Sequence, residues 1–583
     1  MGKVRTGSGK ICSFITKGIA NLCQSEMKLL PITAWLPQYQ RANLRGDVIA
    51  GVALAGLLIP EAMGYAGIAG LPPQAGLYAT LLGLLAYAIF GTSRQLVVSP
   101  TSASSAILAA TVAPLAATDP RRFALLAAAV TLVLGGLFLL AGILKLGFVA
   151  DFISKPVLKG FIFGVALSIV IKQLPKLLGV APGKGHAYNQ LFYTLRQLGE
   201  THRWALGAGL TALVVLFLVD RFAHRIPGAM VVLVGGIAAS RLLALHDRGV
   251  QIVGNIPAGL PLPGFPVLTW ADWLQAAPAS VGLALVLFAE SIGAARTFAS
   301  KNGYDVDANQ ELRALGFSNA ASAIFRGMQV GGGTSGTAAN DANGARSQLS
   351  SIAASATVGL TLLFLTGWFY YLPEAILAAI VIHAVWHLLD YKAMAHFRRI
   401  SLLEFRESLA AIFGVVAFDI LNGLALAVLL SLIALMRFLV MPQVVVVGRL
   451  RETGEFAEIA RHPEAERIPG ALILRVDRIW FFANANGIRD HVKELIRQAP
   501  GPLHSVILNL APVALIDVTS SEVLSQLHAS SVKHGRRLVL AAVRDPVRDT
   551  LEGAGLLSVI GPDNVFRSVA LAVESVTAAA HPV

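Results

Sequence analysis

Charge is what this sequence has least of. Asp, Glu, Lys and Arg make up 14% of its 583 residues, against about a quarter in an ordinary soluble domain. The shortfall is concentrated between residues 47 and 441, where residues 123–144 carry no charge at all. Acid is scarcer than base, 34 residues against 47, for a net charge of +13. In a soluble chain that excess would suggest nucleic acid. In this apolar chain it reads as the cytoplasmic loops of a membrane protein, and no nucleic-acid partner is expected. Cysteine is nearly absent. Cys12 and Cys23 both lie in a basic N-terminal flank, which on the cytosolic side forms no disulfide. The run 11–15 is too short for a signal peptide's apolar core, and no small-residue cleavage site follows. There is no phosphate-binding loop either. Neither Gly9-Lys10 nor Gly183-Lys184 has a glycine five positions earlier or a following Ser or Thr, which argues against ATP-driven transport. Enzyme signals are lacking, with no catalytic group, cofactor or metal expected. His383 and His387 stand four apart in an apolar stretch without Glu or Cys within a turn, and read as core or interface histidines.

What is present is apolar length. A span needs about 20 apolar residues, and fourteen segments qualify: 47–69, 74–91, 95–116, 123–145, 156–174, 204–219 and 227–245, then 278–299, 308–326, 329–346, 349–371, 374–389, 403–420 and 422–440. The flank 1–43 is basic, as are the loops 220–225 and 392–406. By the positive-inside rule all three are cytoplasmic, in a cell inner membrane, and an even count returns the C-terminus to the same side. Arg121 and Arg122 fall outside on this count, against the rule. Beyond residue 442 the character changes. Strand-like runs at 444–447, 472–476, 506–510 and 538–542 alternate with helical patterns at 487–498, 520–534, 547–554 and 566–578, the signature of a small cytosolic α/β domain. The expected domains are therefore the flank 1–43, an all-α polytopic bundle 44–441 and an α/β domain 442–583.

The bundle repeats itself. Leu57 to Gly64 align with Val286 to Gly293, placing Glu61 over Glu290 and a glycine three residues beyond each. Thr101-Ser102-Ala103-Ser104-Ser105-Ala106 align with Thr334-Ser335-Gly336-Thr337-Ala338-Ala339. The offsets are 290 − 61 = 229 and 334 − 101 = 233. Seven segments per copy, an odd number, invert the second copy, giving repeats at about 47–245 and 278–440. Inverted repeats are the build of many secondary transporters.

Two features could carry chemistry. Each Ser/Thr stretch follows an extended segment, 95–99 or 328–333, broken by Pro100 or by Gly331, Gly332 and Gly333. Each then opens a helix. Two half-helices starting in mid-membrane and facing one another offer free N–H groups and positive dipole ends to an anion. The plain alternative is Ser/Thr capping of tightly packed helices. The second feature is the acids. Glu61 and Glu290 inside spans are functional candidates because a carboxylate there is expensive. A proton and an anion binding side by side help each other, which is symport stated as linkage. Each acid could instead face water or bond a buried backbone group. Asp419, near a helix end, reads as structural. In the tail, Thr519 and Glu522 form a Thr-x-x-Glu capping box. Asp517 and Thr519 also suggest a regulatory phosphosite at a helix start.

These residues resemble the SulP family of anion transporters, which includes bacterial sulfate permeases, prestin and pendrin. The resemblance rests on Leu58-Ile59-Pro60-Glu61-Ala62-Met63-Gly64-Tyr65-Ala66, Gly70-Leu71-Pro72-Pro73, Gly76-Leu77-Tyr78, Gly91-Thr92-Ser93-Arg94-Gln95 and Asn309-Gln310-Glu311-Leu312 with Gly316 and Asn319. Phe481-Phe482-Ala483-Asn484-Ala485 and Asp517-Val518-Thr519 are similar to the STAS domain. The family implies a seven-plus-seven inverted repeat like that of uracil transporters, a core and a gate domain, an elevator mechanism and homodimers. It places the anion between helices 3 and 10, near helices 1 and 8. Carried over, Glu61, Tyr65, Ser335 and Gly336 are substrate-facing, with Thr101, Ser102, Ala103, Ser104, Phe288, Thr334 and Thr337 around them. Animal members have Arg where Gly336 stands and Gln where Glu61 stands. Their chloride exchange and voltage behaviour are accordingly not carried over, and Glu61 points to proton coupling. The expected function is proton-coupled sulfate uptake. Bicarbonate or C4-dicarboxylate symport, an anion channel, and a transport-inactive membrane-tethered regulator are the alternatives.

Overall fold

The structure is a computed structural model that describes residues 30–116, 119–148, 154–183, 186–223, 227–418 and 420–580. Cys12, Cys23, most of the basic flank, Lys184, Arg225 and Asp419 lie outside the described residues. Two compact units divide between Leu432 and Ile433.

Among the described residues of the first unit, the fourteen expected segments each hold one helix. They are α1 (Leu44–Ala69), α2 (Pro73–Phe90), α3 (Ser102–Ala116), α4 (Pro120–Ile143), α5 (Lys155–Leu178), α6 (Arg203–Phe222), α7 (Gly228–Leu242), α8 (Trp270–Lys301), α9 (Ala308–Ile324), α10 (Thr334–Ala342), α11 (Leu349–Phe364), α12 (Glu374–Trp386), α13 (Leu402–Phe418) and α14 (Ile420–Val440), the last running on into the second unit. Their outward faces carry bare apolar side chains such as Phe222, Leu242 and Phe364. Water would penalise such faces and lipid does not. Where the sequence suggested one long helix over 349–371, α11 stops at Phe364 and a 3-10 turn, Thr366–Tyr371, follows. The stretch expected as a loop over 392–406 is instead helical. Tyr391–Ile400 is a short amphipathic helix with Arg398 and Arg399 in its last turn, and α13 begins at Leu402. Its one buried residue is Met394, so charge on the remaining faces hid the helix from a search for apolar runs.

The repeat is visible in the packing, because three of the closest contacts occur twice. α4 packs on α9, and its counterpart α11 packs on α2. α5 packs on α13, as α12 does on α6. α1 packs on α11, as α8 does on α4. Small residues permit these approaches. A Cβ on Gly160 of α5 would stand 2.3 Å from the Ser408 carbonyl oxygen of α13, closer than any real contact. Helices α1 to α4 and α8 to α11 make one set, the core. Helices α5 to α7 and α12 to α14 make the other, the gate.

Two breaks interrupt the helices. Strands β1 (Val98–Ser99) and β2 (Gly331–Gly332) pair antiparallel, Val98 with Gly332 and Ser99 with Gly331. At the sequence offset of 233, Val98 corresponds to 98 + 233 = 331. Equivalent strands of the two copies therefore meet head to tail, as a two-fold axis between them requires.

The second unit holds a six-stranded sheet ordered β4 (Phe456–Glu458), β3 (Val444–Arg449), β5 (Ala471–Val476), β6 (Ser505–Asn509), β7 (Arg537–Ala541), β8 (Val565–Phe566). β5, β6, β7 and β8 run parallel, and β3 pairs antiparallel with both β4 and β5. Helices α15 (Ala485–Arg497), α16 (Val518–Lys533), α17 (Asp545–Gly553), α18 (Leu556–Ile560) and α19 (Val569–Ala580) complete it. β5 and β6 are buried almost throughout, which is why they read as continuous apolar runs. The two-residue β8 occupies the start of what the sequence suggested was one helix over 566–578.

Candidate functional site

Everything at the break is organised by the β1–β2 ladder. Val97 donates its N–H to Thr337 Oγ1 (3.1 Å), and Gly333 donates to the Val97 carbonyl (3.1 Å). Ser291 on α8 accepts from Gly332 N–H at 2.8 Å. Asn319 on α9 clamps Val330 from both sides, accepting its N–H (2.9 Å) and donating to its carbonyl (2.9 Å). The two glycines are closely crowded. A Cβ on Gly331 would lie 2.4 Å from Leu287 Cδ1, and one on Gly332 would lie 3.0 Å from Ser291 Cα. Buried backbone groups in a bilayer must find partners inside the protein, and at this break they do.

α3 and α10 start directly beyond the two strands. At α3, Thr101 Oγ1 accepts from Ser104 N–H (3.3 Å) and donates to Ser104 Oγ (2.9 Å), with Glu290 Oε2 at 3.4 Å. Ser104 Oγ in turn accepts a hydrogen bond from Gln329 Nε2 at 3.2 Å. Thr101, Ser102, Ala103 and Ser104 are all buried. At α10 the corresponding Thr334 and Ser335 are exposed, while Gly336 and Thr337 are buried. The two helix starts are therefore equivalent in chain position and different in access.

Glu61 lies on α1 directly after Pro60, a residue without an N–H. It is 7% exposed, and no hydrogen bond to its carboxylate is found among the described residues. Tyr65, one turn on, lies within electrostatic reach of both Glu61 and Glu290. Phe288, buried on α8, stacks obliquely on Phe138 of α4 at 6.4 Å. Gly336 does not open onto space. A Cβ there would meet Val97 Cγ1 at 3.1 Å and Leu58 Cδ2 at 3.6 Å. The space beside it is filled by Val97, just ahead of β1, and by Leu58 of α1.

Two buried acids escaped the sequence reading as site-builders. Glu311 on α9 accepts from Tyr87 Oη (2.6 Å), Thr92 N–H (2.9 Å), Thr92 Oγ1 (2.6 Å) and Ser93 N–H (3.3 Å). It thereby joins two motifs that stand more than two hundred residues apart. Asp47 at the start of α1 accepts from Arg346 N–H (2.6 Å), Ser347 N–H (3.3 Å), Ser347 Oγ (2.8 Å) and Tyr39 Oη (3.0 Å). Asp47 lies in none of the motifs quoted above, and although Glu311 lies in one, the partners of both acids become neighbours only through tertiary packing.

In the α/β domain the helix start differs from the expected capping box. Asp517 is the N-cap of α16, and its Oδ1 accepts from Ser520 N–H (2.8 Å) and Ser520 Oγ (2.7 Å). Thr519 lies inside the helix. A carboxylate two residues earlier caps the Ser520 N–H and starts the helix there, so Thr519 no longer stands at the cap position. Asp517 Oδ2 also accepts from Phe482 N–H at 2.7 Å.

A bundle of inverted repeats with two broken helices at its centre is the architecture of a membrane transporter. The sequence belongs to a particular lineage of that class. Residues 44–411 match the sulfate permease family and residues 462–572 match the STAS domain. The chain is a member of the sulfate permease family, a family of anion transporters. It is 36% identical to a probable sulfate transporter of Mycobacterium tuberculosis over 92% of this chain and 96% of that one. It is 32% identical to sulfate transporter 2.2 of Arabidopsis thaliana, over 95% and 86% of the two chains. Among solved structures it resembles the murine Solute Carrier 26 family member A9 anion transporter in the inward-facing state. There the TM-score is 0.86 at 24% identity, covering 100% of this chain and 96% of that chain. It also resembles the transmembrane domain of a cyanobacterium bicarbonate transporter, with a TM-score of 0.58 at 25% identity over 68% of this chain and 98% of that one.

Proposed function

We propose that this protein is a secondary active transporter that takes up sulfate together with protons by an elevator motion of the core set of helices against the gate set. One observation carries the reading. The buried Thr101, on the cap of a half-helix, reaches Glu290, and Tyr65 lies between the influence of Glu290 and of Glu61. Anion-binding N–H groups and two candidate proton carriers thus share one small region. Helix starts hold an oxyanion without a cationic side chain. Among the described residues no hydrogen-bond donor balances Glu61, and an ionised carboxylate in that position is costly. Bringing a second anion beside it is favourable when a proton comes too, which couples the two uphill and downhill flows.

The anion contacts are assigned to Thr101, Ser102, Ala103, Ser104, Phe288, Thr334, Ser335, Gly336 and Thr337, with Tyr65 and Glu61 alongside. Sulfate is favoured by the names of the bacterial and plant relatives. Bicarbonate is the second reading, favoured by the cyanobacterial neighbour. The bundle lies in the inner membrane with both termini cytoplasmic, and two chains form a homodimer. Arg122, on the outer side in this orientation, has a local reason to be there, since it pairs with Asp272 at the start of α8 at 2.9 Å.

The test is uptake of labelled sulfate, bicarbonate and fumarate into proteoliposomes across a range of external pH. Sulfate uptake should rise as external pH falls, and Glu61→Gln or Glu290→Gln should flatten that rise. Wild-type pH profiles in both variants, or a requirement for sodium instead, would remove the proton-coupling assignment.

A further inference from the structure

Away from the anion site, one cluster of donor groups joins two helices of the gate set. Asp220 ends α6, and His383 and His387 lie one turn apart near the end of α12. His383 Nε2 stands 2.9 Å from Asp220 Oδ2, and His387 Nε2 stands 3.4 Å from the same oxygen. One donor atom from each of the three residues falls within 4.8 Å of the others. The two imidazoles meet edge to face at 5.5 Å. The sequence reading set these histidines aside for want of an acidic partner within a turn. The acid arrives from another helix, more than 160 positions earlier.

We infer that Asp220, His383 and His387 form a binding site for a divalent transition metal, with zinc the best fit. Two imidazoles and one carboxylate are a recurrent zinc donor set. Zinc bonds of about 2.0–2.2 Å arranged tetrahedrally put neighbouring donors roughly 3.3–3.5 Å apart. The two separations from Asp220 Oδ2, 2.9 and 3.4 Å, lie just below and within that range, and the imidazole donors lie within 4.8 Å of each other, so an ion would open the shortest contact slightly and draw the histidines together. Softer borderline ions suit imidazole, whereas magnesium and calcium prefer all-oxygen cages. The surroundings also suit a held ion. Phe217 packs edge-on against His383 at 5.0 Å and against Trp386 at 5.9 Å, giving one dry wall. His387, 61% exposed at its side chain, gives the ion a way in and leaves room for a water as fourth ligand. A bound ion would fasten α6 to α12 without touching the half-helices α3 and α10.

The experiment uses the full-length protein without a polyhistidine tag, stripped with chelator, in detergent micelles. Zn²⁺ is titrated against a fluorescent chelator, and Co²⁺ is titrated while its visible absorption is recorded. One Zn²⁺ per chain is expected, with the intense bands of four-coordinate Co²⁺ and a higher melting temperature. Asp220→Asn and His387→Ala should each weaken Zn²⁺ more than about 100-fold, since even outer-shell partners of a metal are worth about 10–100-fold. His396→Ala, an exposed histidine on the neighbouring amphipathic helix, should change nothing. Because His387 is largely exposed, its removal spares the fold, and circular dichroism of each variant checks this. Zn²⁺ binding that survives both Asp220→Asn and His387→Ala at wild-type strength overturns the assignment. A wild-type protein that binds Zn²⁺ only at millimolar concentrations does so too, leaving the three residues a hydrogen-bonded group.

Discussion

Acids buried in the bundle differ in their company. Glu311 and Asp47 each receive four hydrogen-bond donors. Carboxylates served in this way are held in place and act as fasteners. Among the described residues Glu61 receives none, and Glu290 receives one long contact from Thr101. Groups so weakly satisfied have freedom to change their protonation as a ligand comes and goes, which is why the proton is assigned to them. Asp517 in the STAS domain belongs with the fasteners. Burial would push its carboxyl up, but Ser520 N–H, Ser520 Oγ and Phe482 N–H together hold it below the usual carboxylate range. A lowered value in the folded state contributes stability above the unfolded value of about 3.9, and that contribution is lost as pH falls through the folded value. Asp517→Ala should therefore cost about 0.5–2 kcal/mol at neutral pH, and less in strong acid. Hydrogen exchange of the first turn of α16 in the full-length protein, corrected for intrinsic rates, measures this. Equal protection in wild type and variant at neutral pH would refute it.

At the scale of elements, the sequence announced what its own pattern controls. Glu61 and Glu290 stood out because an acid in an apolar run is visible against its background, and the repeated Ser/Thr starts stood out for the same reason. The parallel strands were legible because they are buried on both faces and rich in Val, Leu and Ile. β4 and β8 were not, being three and two residues long and defined by pairing rather than composition. Close helix crossings were also hidden, since a glycine looks alike whether it is crowded or free. Gly160 and Gly136 show the difference. A Cβ at Gly160 strikes the backbone of α13 at 2.3 Å, whereas nothing lies within 4 Å of one at Gly136 on α4. Gly160→Ala should lower the melting temperature of the detergent-solubilised protein by forcing α5 and α13 apart, an overpacking cost of about 1–3 kcal/mol. Gly136→Ala should leave it unchanged or raise it, because alanine is the better helix former. Thermal unfolding followed by light scattering distinguishes the two, and equal losses would show that the α5–α13 contact is looser than it is drawn.

For the whole molecule, the two compact units predict separable stability. The membrane unit satisfies its own backbone groups, and the STAS sheet has its own buried core around Trp480 and Leu508. A chain ended after Gln443 should still insert, remain monodisperse in mild detergent and keep reduced transport. Size-exclusion chromatography and sulfate uptake check this, and aggregation of the shortened chain would place the boundary elsewhere. The division into core and gate sets, and the proposals of a dimer and of proton coupling, came only through resemblance. They depend on how surfaces meet, and no local pattern of residues encodes that.

The four-residue ladder of β1 and β2 has a bearing on ancestry. Half of this bundle, taken alone, would end its break in a strand whose hydrogen-bonding edge faced nothing. A second half turned upside down supplies the missing edge, and the glycines of β2 leave α8 room to lie over it. A gene encoding one half would thus have made a protein that needed copies inserted in both orientations to close the ladder. Carrying both halves in one chain makes that pairing intramolecular. Within that chain, Val97 and Val98 of one half lie against Gly332, Gly333 and Thr337 of the other, so the break is closed without any partner from outside.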